Sequence, residues 1–448
     1  MDEAHRAREL IGRVSAALAE HKKKGFLLDL IAWPREVEEK FFAAGAGSLP
    51  EPEYGFDRDG LSAHVAELGE VAVTIDGEEP VAAWLRRVLE SKIAENRMLL
   101  AAGTPAFTER SRELYGGART AFYEGKVTNL DLADHLLDRL QIHGWDEATD
   151  AEETPLTAEQ FAQALGAHID RMRPRMDVEV VLDPTCTAKV LAGMKRVRIR
   201  PDATFPRWEA EGLWHHEVET HALTAQNGAA QTEAPFLSSG GPRTTRTQEG
   251  LAVFSELYNR VLTVNRLERL AMRVKLVDQA ERGASFLDLY RFLVEQGSAA
   301  RDAYFDAQRI CRGGKIEGGA PFTKDACYVS GLLHVYAFLN VFVRGGFRDE
   351  TELLVAGRID LEDITALVKL RGLGILARPR HRPRWLRNWD TLLPHFAFSS
   401  FMKWIDLTPV EAHYHEVIKL AEDASPRARR PPAERHVPER RAMPDREP

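Results

Sequence analysis

His216-Glu217-Val218-Glu219-Thr220-His221, followed downstream by Thr247-Gln248-Glu249-Gly250-Leu251-Ala252, is the stretch on which the reading of this chain turns. Two imidazoles, a carboxylate beside the first and a later acidic residue at the start of a predicted helix are the residue types of a hydrolytic zinc site. Such a site needs three nitrogen or oxygen ligands, one position left to water, and a neighbouring carboxylate that takes the water's proton. The spacing is unusual. In an ideal helix of about 100° per residue, positions i and i+4 lie about 40° apart, whereas i and i+5 lie about 140° apart. His216 and His221 are five apart, so they converge on one ion only if the helix takes in an extra residue, as a single-turn π-bulge does. The sequence therefore predicts a π-distorted helix at the motif. On spacing alone, two histidines on a helix are more often surface or core residues.

Further residues carry a family resemblance. The run His216 to Thr224, then Asn227-Gly228 and Gln231, then Gln248-Glu249-Gly250-Leu251-Ala252, and finally Arg312-Gly313, Phe322-Thr323-Lys324-Asp325 and Tyr328, resembles the microtubule-associated tyrosine carboxypeptidase family. The bacterial branch of that family is named for flavohaemoglobin expression modulation and for its QEGLA motif, and the family shares the HExxxH spacing. The resemblance implies a zincin-like metallopeptidase region and zinc (Zn2+) as cofactor, with His216, His221 and Glu249 as metal ligands. It implies that Glu217 is the general base and acid, deprotonating a water and returning the proton to the leaving amine without a covalent intermediate. The implied activity is that of a carboxypeptidase removing C-terminal residues from a peptide or protein tail. The alternatives are a non-catalytic zinc-binding regulator that retains the peptidase fold, and a helical interaction protein without metal. The intact set of His216, Glu217, His221 and Glu249 argues against the first, and metal analysis would separate the second. His215 competes as a ligand but points about 100° away from His216 on a helix. Glu256 and Glu219 are candidates to accept hydrogen bonds from ligand imidazoles, although Glu219 reads more readily as part of a solvated helix face.

A carboxypeptidase must also recognise a terminal carboxylate, which calls for a guanidinium or ammonium near the metal. Arg309, Arg312 and Lys324 offer that charge, and Tyr328, one helical turn beyond Lys324, offers a donor to a tetrahedral oxyanion. Gly313, Gly314, Gly318 and Gly319 suggest a flexible loop able to approach a peptide backbone, and Thr323 suits the N-cap of the apolar helix that follows. Capping-turn charges and a core tyrosine are the bland reading of the same residues. Lys195 to Arg200 alternates charged and branched residues and is expected to form an edge strand, either for pairing with extended substrate or simply protected by its basic residues.

The 448 residues suffice for one large core or two ordinary domains. Three cysteines without paired spacing indicate neither a disulfide framework nor a thiolate metal site, which suits a cytoplasmic protein. The N-terminus lacks a signal-peptide pattern, and no stretch is expected to reach membrane-span length and apolarity. A net charge of −8 argues against general nucleic-acid affinity. Oligomeric state cannot be read.

Helical periodicity dominates, predicting helices at 4–22, 80–101, 157–172, 207–226, 248–260, 263–281, 299–311, 323–342 and 360–370. Strands are expected at 195–200, 177–182 and 70–75. The fold class is thus α+β, mainly helical, with a small sheet. Residues 1–150 are assigned to a helical N-terminal region, 151–424 to the catalytic region, and 425–448 to a disordered Pro/Arg-rich tail. Arg378 to Trp389, with arginines among tryptophans, reads as a proline-stiffened connector rather than a nucleic-acid site.

Overall fold

A computed structural model of the chain describes residues 2–22, 27–123, 125–140, 154–186, 188–402 and 405–415. The expected tail at 425–448 lies outside them. The architecture is mainly helical α+β with a small sheet.

Local sequence accounts for many of the elements. Thr157 and Gln160 form a reciprocal capping box that starts the helix Ala158–Arg171, whose Phe161, Leu165 and Ile169 recur at a spacing of four and are all buried. Ser285 and Asp288 cap Phe286–Glu295 in the same way. Pro80 stands at the first turn of Pro80–Leu100, where its missing N–H costs nothing.

Among the described residues there are five short strands: β1 (Leu156–Thr157), β2 (Glu179–Leu182), β3 (Val190–Ala192), β4 (Arg196–Ile199) and β5 (Thr204–Phe205). β1 pairs with β5. The other three form a sheet in the order β2-β4-β3, with β4 parallel to β2 and antiparallel to β3. The basic strand expected at an edge is therefore central. Its alternation was read correctly, since Val197 and Ile199 are fully buried, but alternation reports which face is covered and not which neighbours pair. The exposed edge beside the metal motif is β3, three residues too short to show a period. The strand expected at 70–75 is instead the end of the helix Arg58–Val73, because Leu61, His64, Leu68 and Ala72 lie on one helical face and are buried together. The burial of that face outweighs the local content of branched residues.

The helices Arg207–Leu213 and Leu223–Ala229 flank the motif and run through it without a break. Two helices hold this unit in place. Pro242–Tyr258 lies against the motif, and Cys327–Arg344 lies against Pro242–Tyr258. The crossing is made by glycines: a Cβ on Gly250 would fall 2.2 Å from the Gly331 carbonyl oxygen, and one on Gly331 would fall 2.2 Å from that of Arg246. Leu10, Ile11, Val14 and Trp84 from the N-terminal helices share one buried cluster with Val218, Leu251, Phe254 and Val335 from the later region.

Thr323–Arg344 corrects one expectation, being long and apolar enough by composition to cross a bilayer, with mean hydropathy 1.6. Its apolar face is used inside the protein, where Val329, Val335, Leu339 and Val343 are buried. In the arginine-rich connector Trp385 is buried and donates to the Ser255 hydroxyl at 3.2 Å, while Trp389 is half-buried.

Candidate metal centre

Trp214–Ala222 is π-helical, as the five-residue spacing predicts. Hydrogen bonding from i to i+5 brings His216 and His221 onto one face, with ring centroids 4.9 Å apart and planes at 85°. Side chains support the widened turn. Thr220 Oγ1 donates to the His215 carbonyl at 2.9 Å, and Thr224 Oγ1 lies 2.8 Å from both the Thr220 carbonyl oxygen and Gln248 Oε1, between which its one proton is shared. The last bond ties the motif to Pro242–Tyr258 one residue before Glu249. One donor atom each from His216, His221 and Glu249 then lies within 4.8 Å of the others.

The second atoms of His216 and Glu249 are already engaged. His216 Nδ1 lies 2.7 Å from Glu256 Oε1, and Arg266 donates to both oxygens of that carboxylate at 3.2 Å. Burial opposes the charge on Glu256, but Arg266 and His216 outweigh it and bring its carboxyl down to about 2. An ionised Glu256 only accepts, so Nδ1 carries the proton and Nε2 points its lone pair inward when the ring is neutral. Glu249 Oε1 accepts from Lys324 Nζ at 3.0 Å. Its Oε2 stands 3.4 Å from His216 Nε2 and 3.5 Å from His221 Nε2, is buried, and among the described residues has no hydrogen-bond partner. Burial disfavours the Glu249 anion, yet Lys324 and the two histidines hold its carboxyl well below the usual range. Burial likewise disfavours a charged His216, but Glu249 and Glu256 pull it up to about 10. An unpartnered buried carboxylate oxygen facing two imidazole nitrogens, in surroundings that draw positive charge inward, fits a divalent cation.

Glu217 is half-buried beside this cluster, and its Oε2 accepts from the backbone N–H of Ala192 in β3 at 3.2 Å. β3 thus aims the carboxylate, and β3 rather than the expected basic strand β4 holds the edge position beside the motif.

The remaining predicted residues lie behind the cluster. Lys324 is spent on Glu249. Arg309 makes two bonds to Asp325, at 2.6 and 3.0 Å, and donates to the Tyr328 hydroxyl at 3.2 Å. Burial opposes both charges, but Arg309 and Arg273 hold the Asp325 carboxyl far below its usual value. Arg312 lies 5.8 Å over the Phe322 ring, and among the described residues its buried Nε has no partner. Three of the four loop glycines serve internal contacts: added Cβ atoms would meet Phe107 at Gly313, the Ala320 carbonyl at Gly314 and the Gly283 carbonyl at Gly318. Thr323 is no N-cap of an α-helix. It opens a 3-10 turn, and its N–H donates to Ser111 Oγ at 3.0 Å. Glu219 is buried rather than solvated, and it meets His215 Nδ1 at 2.7 Å and Arg387 at 3.3 Å. His215 is thereby turned away from the ligand cluster.

Two residues near the centre escaped sequence reasoning. Ala192 acts through its backbone, which no side-chain pattern reveals. Arg358 Nη2 donates to the carbonyls of His221 and Ala192, each at 3.4 Å. Arg358 belongs to no spaced motif. The signal lay elsewhere, in Asn227 and Gln231, whose amides donate to the carbonyls of Val355 and Ala356 and so fix the segment that carries it.

A family model described as microtubule-associated tyrosine carboxypeptidase matches residues 39–404. No curated protein matches the chain.

Proposed function

Because the chain belongs to the microtubule-associated tyrosine carboxypeptidase family, we propose that it is a zinc-dependent metallocarboxypeptidase that releases residues from the C-terminus of a peptide or protein tail. Family membership implies the carboxypeptidase-type activity. The zinc dependence and the residue roles are our reading. The observation that carries it is the unpartnered Glu249 oxygen facing His216 and His221 on a π-helical turn.

His216, His221 and Glu249 would hold the metal. Zinc bound there would polarise the scissile carbonyl and lower the pKa of a water. Glu256 fixes the tautomer and direction of His216, and Lys324 keeps Glu249 anionic and oriented. Glu217, steadied by the Ala192 N–H, accepts the proton of the attacking water and delivers it to the departing amine. A helix carrying both histidines beside a sheet edge supports a zincin-like catalytic region. The three buried thiols, none in a disulfide, support a cytoplasmic setting.

The test joins metal analysis to peptide digestion. About one zinc per chain is expected, lost in Glu249→Ala. Single C-terminal residues should be released from a peptide library by the wild type and not by Glu217→Gln. Internal cleavage would indicate an endopeptidase, zinc without turnover a regulator, and absence of zinc binding a helical interaction protein.

A further inference from the structure

A cavity of about 270 Å³ opens between the helix Glu3–Lys22, the helix Pro80–Leu100 and the start of Pro242–Tyr258. None of His216, Glu217, His221 or Glu249 lines it, so it is a site apart from the metal centre. Its walls are largely apolar, with Leu18, Trp84, Val88 and Phe236 among them, and its volume falls just below the roughly 300–1,000 Å³ of drug-sized sites. Such a space suits one small molecule with an apolar body.

The charge on these walls does not balance. Lys92 Nζ lies 2.8 Å from Glu95, and Arg243 makes two bonds to Asp363 at 2.6 and 2.7 Å, which leaves Arg358 over. Among the described residues Arg358 forms no ion pair with a carboxylate; its Nη2 reaches only carbonyl oxygens at 3.4 Å, and its Nε is buried without an acceptor. Burial holds its pKa below the usual value, and Glu217 and Glu249 offset this only in part. Gly240 and Gly241 admit the cations, since an added Cβ would stand 3.2 Å from Arg358 Nη1 and 2.6 Å from Lys92 Nζ. The surplus is therefore one positive charge on the wall of an apolar space. Desolvating a guanidinium without a counter-charge is costly, and a ligand anion would relieve it through charge-assisted hydrogen bonds.

We propose that the cavity is an effector site for a small monocarboxylate with an apolar body, its carboxylate on Arg358 and its chain among Trp84, Val88 and Phe236. Charge-assisted bonds to a carboxylate are about 2.7–2.9 Å long, whereas Nη2 holds the carbonyls of His221 and Ala192 at 3.4 Å. The guanidinium therefore yields toward the ligand and slackens its hold on both carbonyls. His221 belongs to the ligand cluster, and the Ala192 N–H donates to Glu217 at 3.2 Å. Occupancy of the cavity thus loosens the metal centre. That coupling rests on the zinc reading, whereas the ligand site itself does not.

The experiment titrates full-length, zinc-loaded protein with octanoate and with octan-1-ol in a calorimeter. One octanoate per chain should bind, about 10- to 100-fold more tightly than the uncharged alcohol. Arg358→Gln should remove that difference, Arg358→Lys should restore part of it, and Ser91→Phe, which fills the cavity, should weaken both ligands. No octanoate binding by the wild type, equal binding of octanoate and octan-1-ol, or octanoate binding unchanged in Arg358→Gln or in Ser91→Phe overturns the site. The first two outcomes need no variant, so they decide even if Arg358→Gln does not fold. The coupling is read by competition with a chromogenic chelator: saturating octanoate should weaken zinc binding by about 5-fold or more in the wild type and not in Arg358→Gln. By reciprocity, zinc-free protein should bind octanoate more tightly by the same factor. Zinc affinity unchanged by octanoate overturns the effector role. Absence of zinc binding by the wild type removes that role together with the zinc reading, and the comparison of octanoate with octan-1-ol still decides the ligand site.

Discussion

Glu256 does not touch the space between the ligands, yet it decides which nitrogen of His216 faces inward. Glu256→Gln should leave the chain folded and weaken zinc binding about 10- to 100-fold, measured by competition with a chromogenic chelator. Asp325 acts on stability instead. It is fully enclosed, and its loss takes from Arg309 the carboxylate it bonds, leaving it beside Arg273, which keeps Asp306 at 3.2 Å, so Asp325→Asn should cost about 3–5 kcal/mol in urea unfolding near neutral pH. The folded carboxyl lies below its unfolded value. Its contribution is therefore complete above the ordinary carboxylate range and is lost as pH falls below it, so the gap between wild type and variant should narrow in acid. At this scale the sequence pointed to His216, His221 and Glu249, which the fold brings together, because the chemistry of such donors is written in the residue types. Arg358 and Ala192 stayed hidden because their importance comes from what packs beside them.

The π-helical turn was legible because five residues between imidazoles cannot be reconciled with an ordinary helix if both bind one ion. The glycine of QEGLA was not, since its reason lies on another helix. Gly250→Ala must push Pro242–Tyr258 away from Gly331, which should cost about 1–3 kcal/mol in urea unfolding. Because Glu249 precedes it, zinc affinity should fall in the same variant, measured with the same chelator. A variant as stable and as tightly loaded as wild type would show that the two helices part without strain. The sheet gives the matching lesson. β4 announced itself by alternation, whereas its central place and the edge position of β3 depend on pairing partners far along the chain.

Across the whole molecule, the N-terminal helix belongs to the same core as the metal helix, with Leu10, Ile11 and Val14 buried alongside Trp84. Burying each such side chain stabilises by about 1.5–3 kcal/mol, so deletion of residues 1–22 should lower stability by roughly 5 kcal/mol in urea unfolding. What the sequence determined by itself was whatever short-range spacing and residue chemistry can encode: most of the long helices, the alternating strand, the distorted turn and the donor set around Glu249. The tertiary structure alone decided which strand is the edge, which cations remain unpaired and where a cavity lies. Those properties belong to surfaces brought together from distant segments, and solvent exclusion and pairing at such surfaces exist only after the chain has closed on itself.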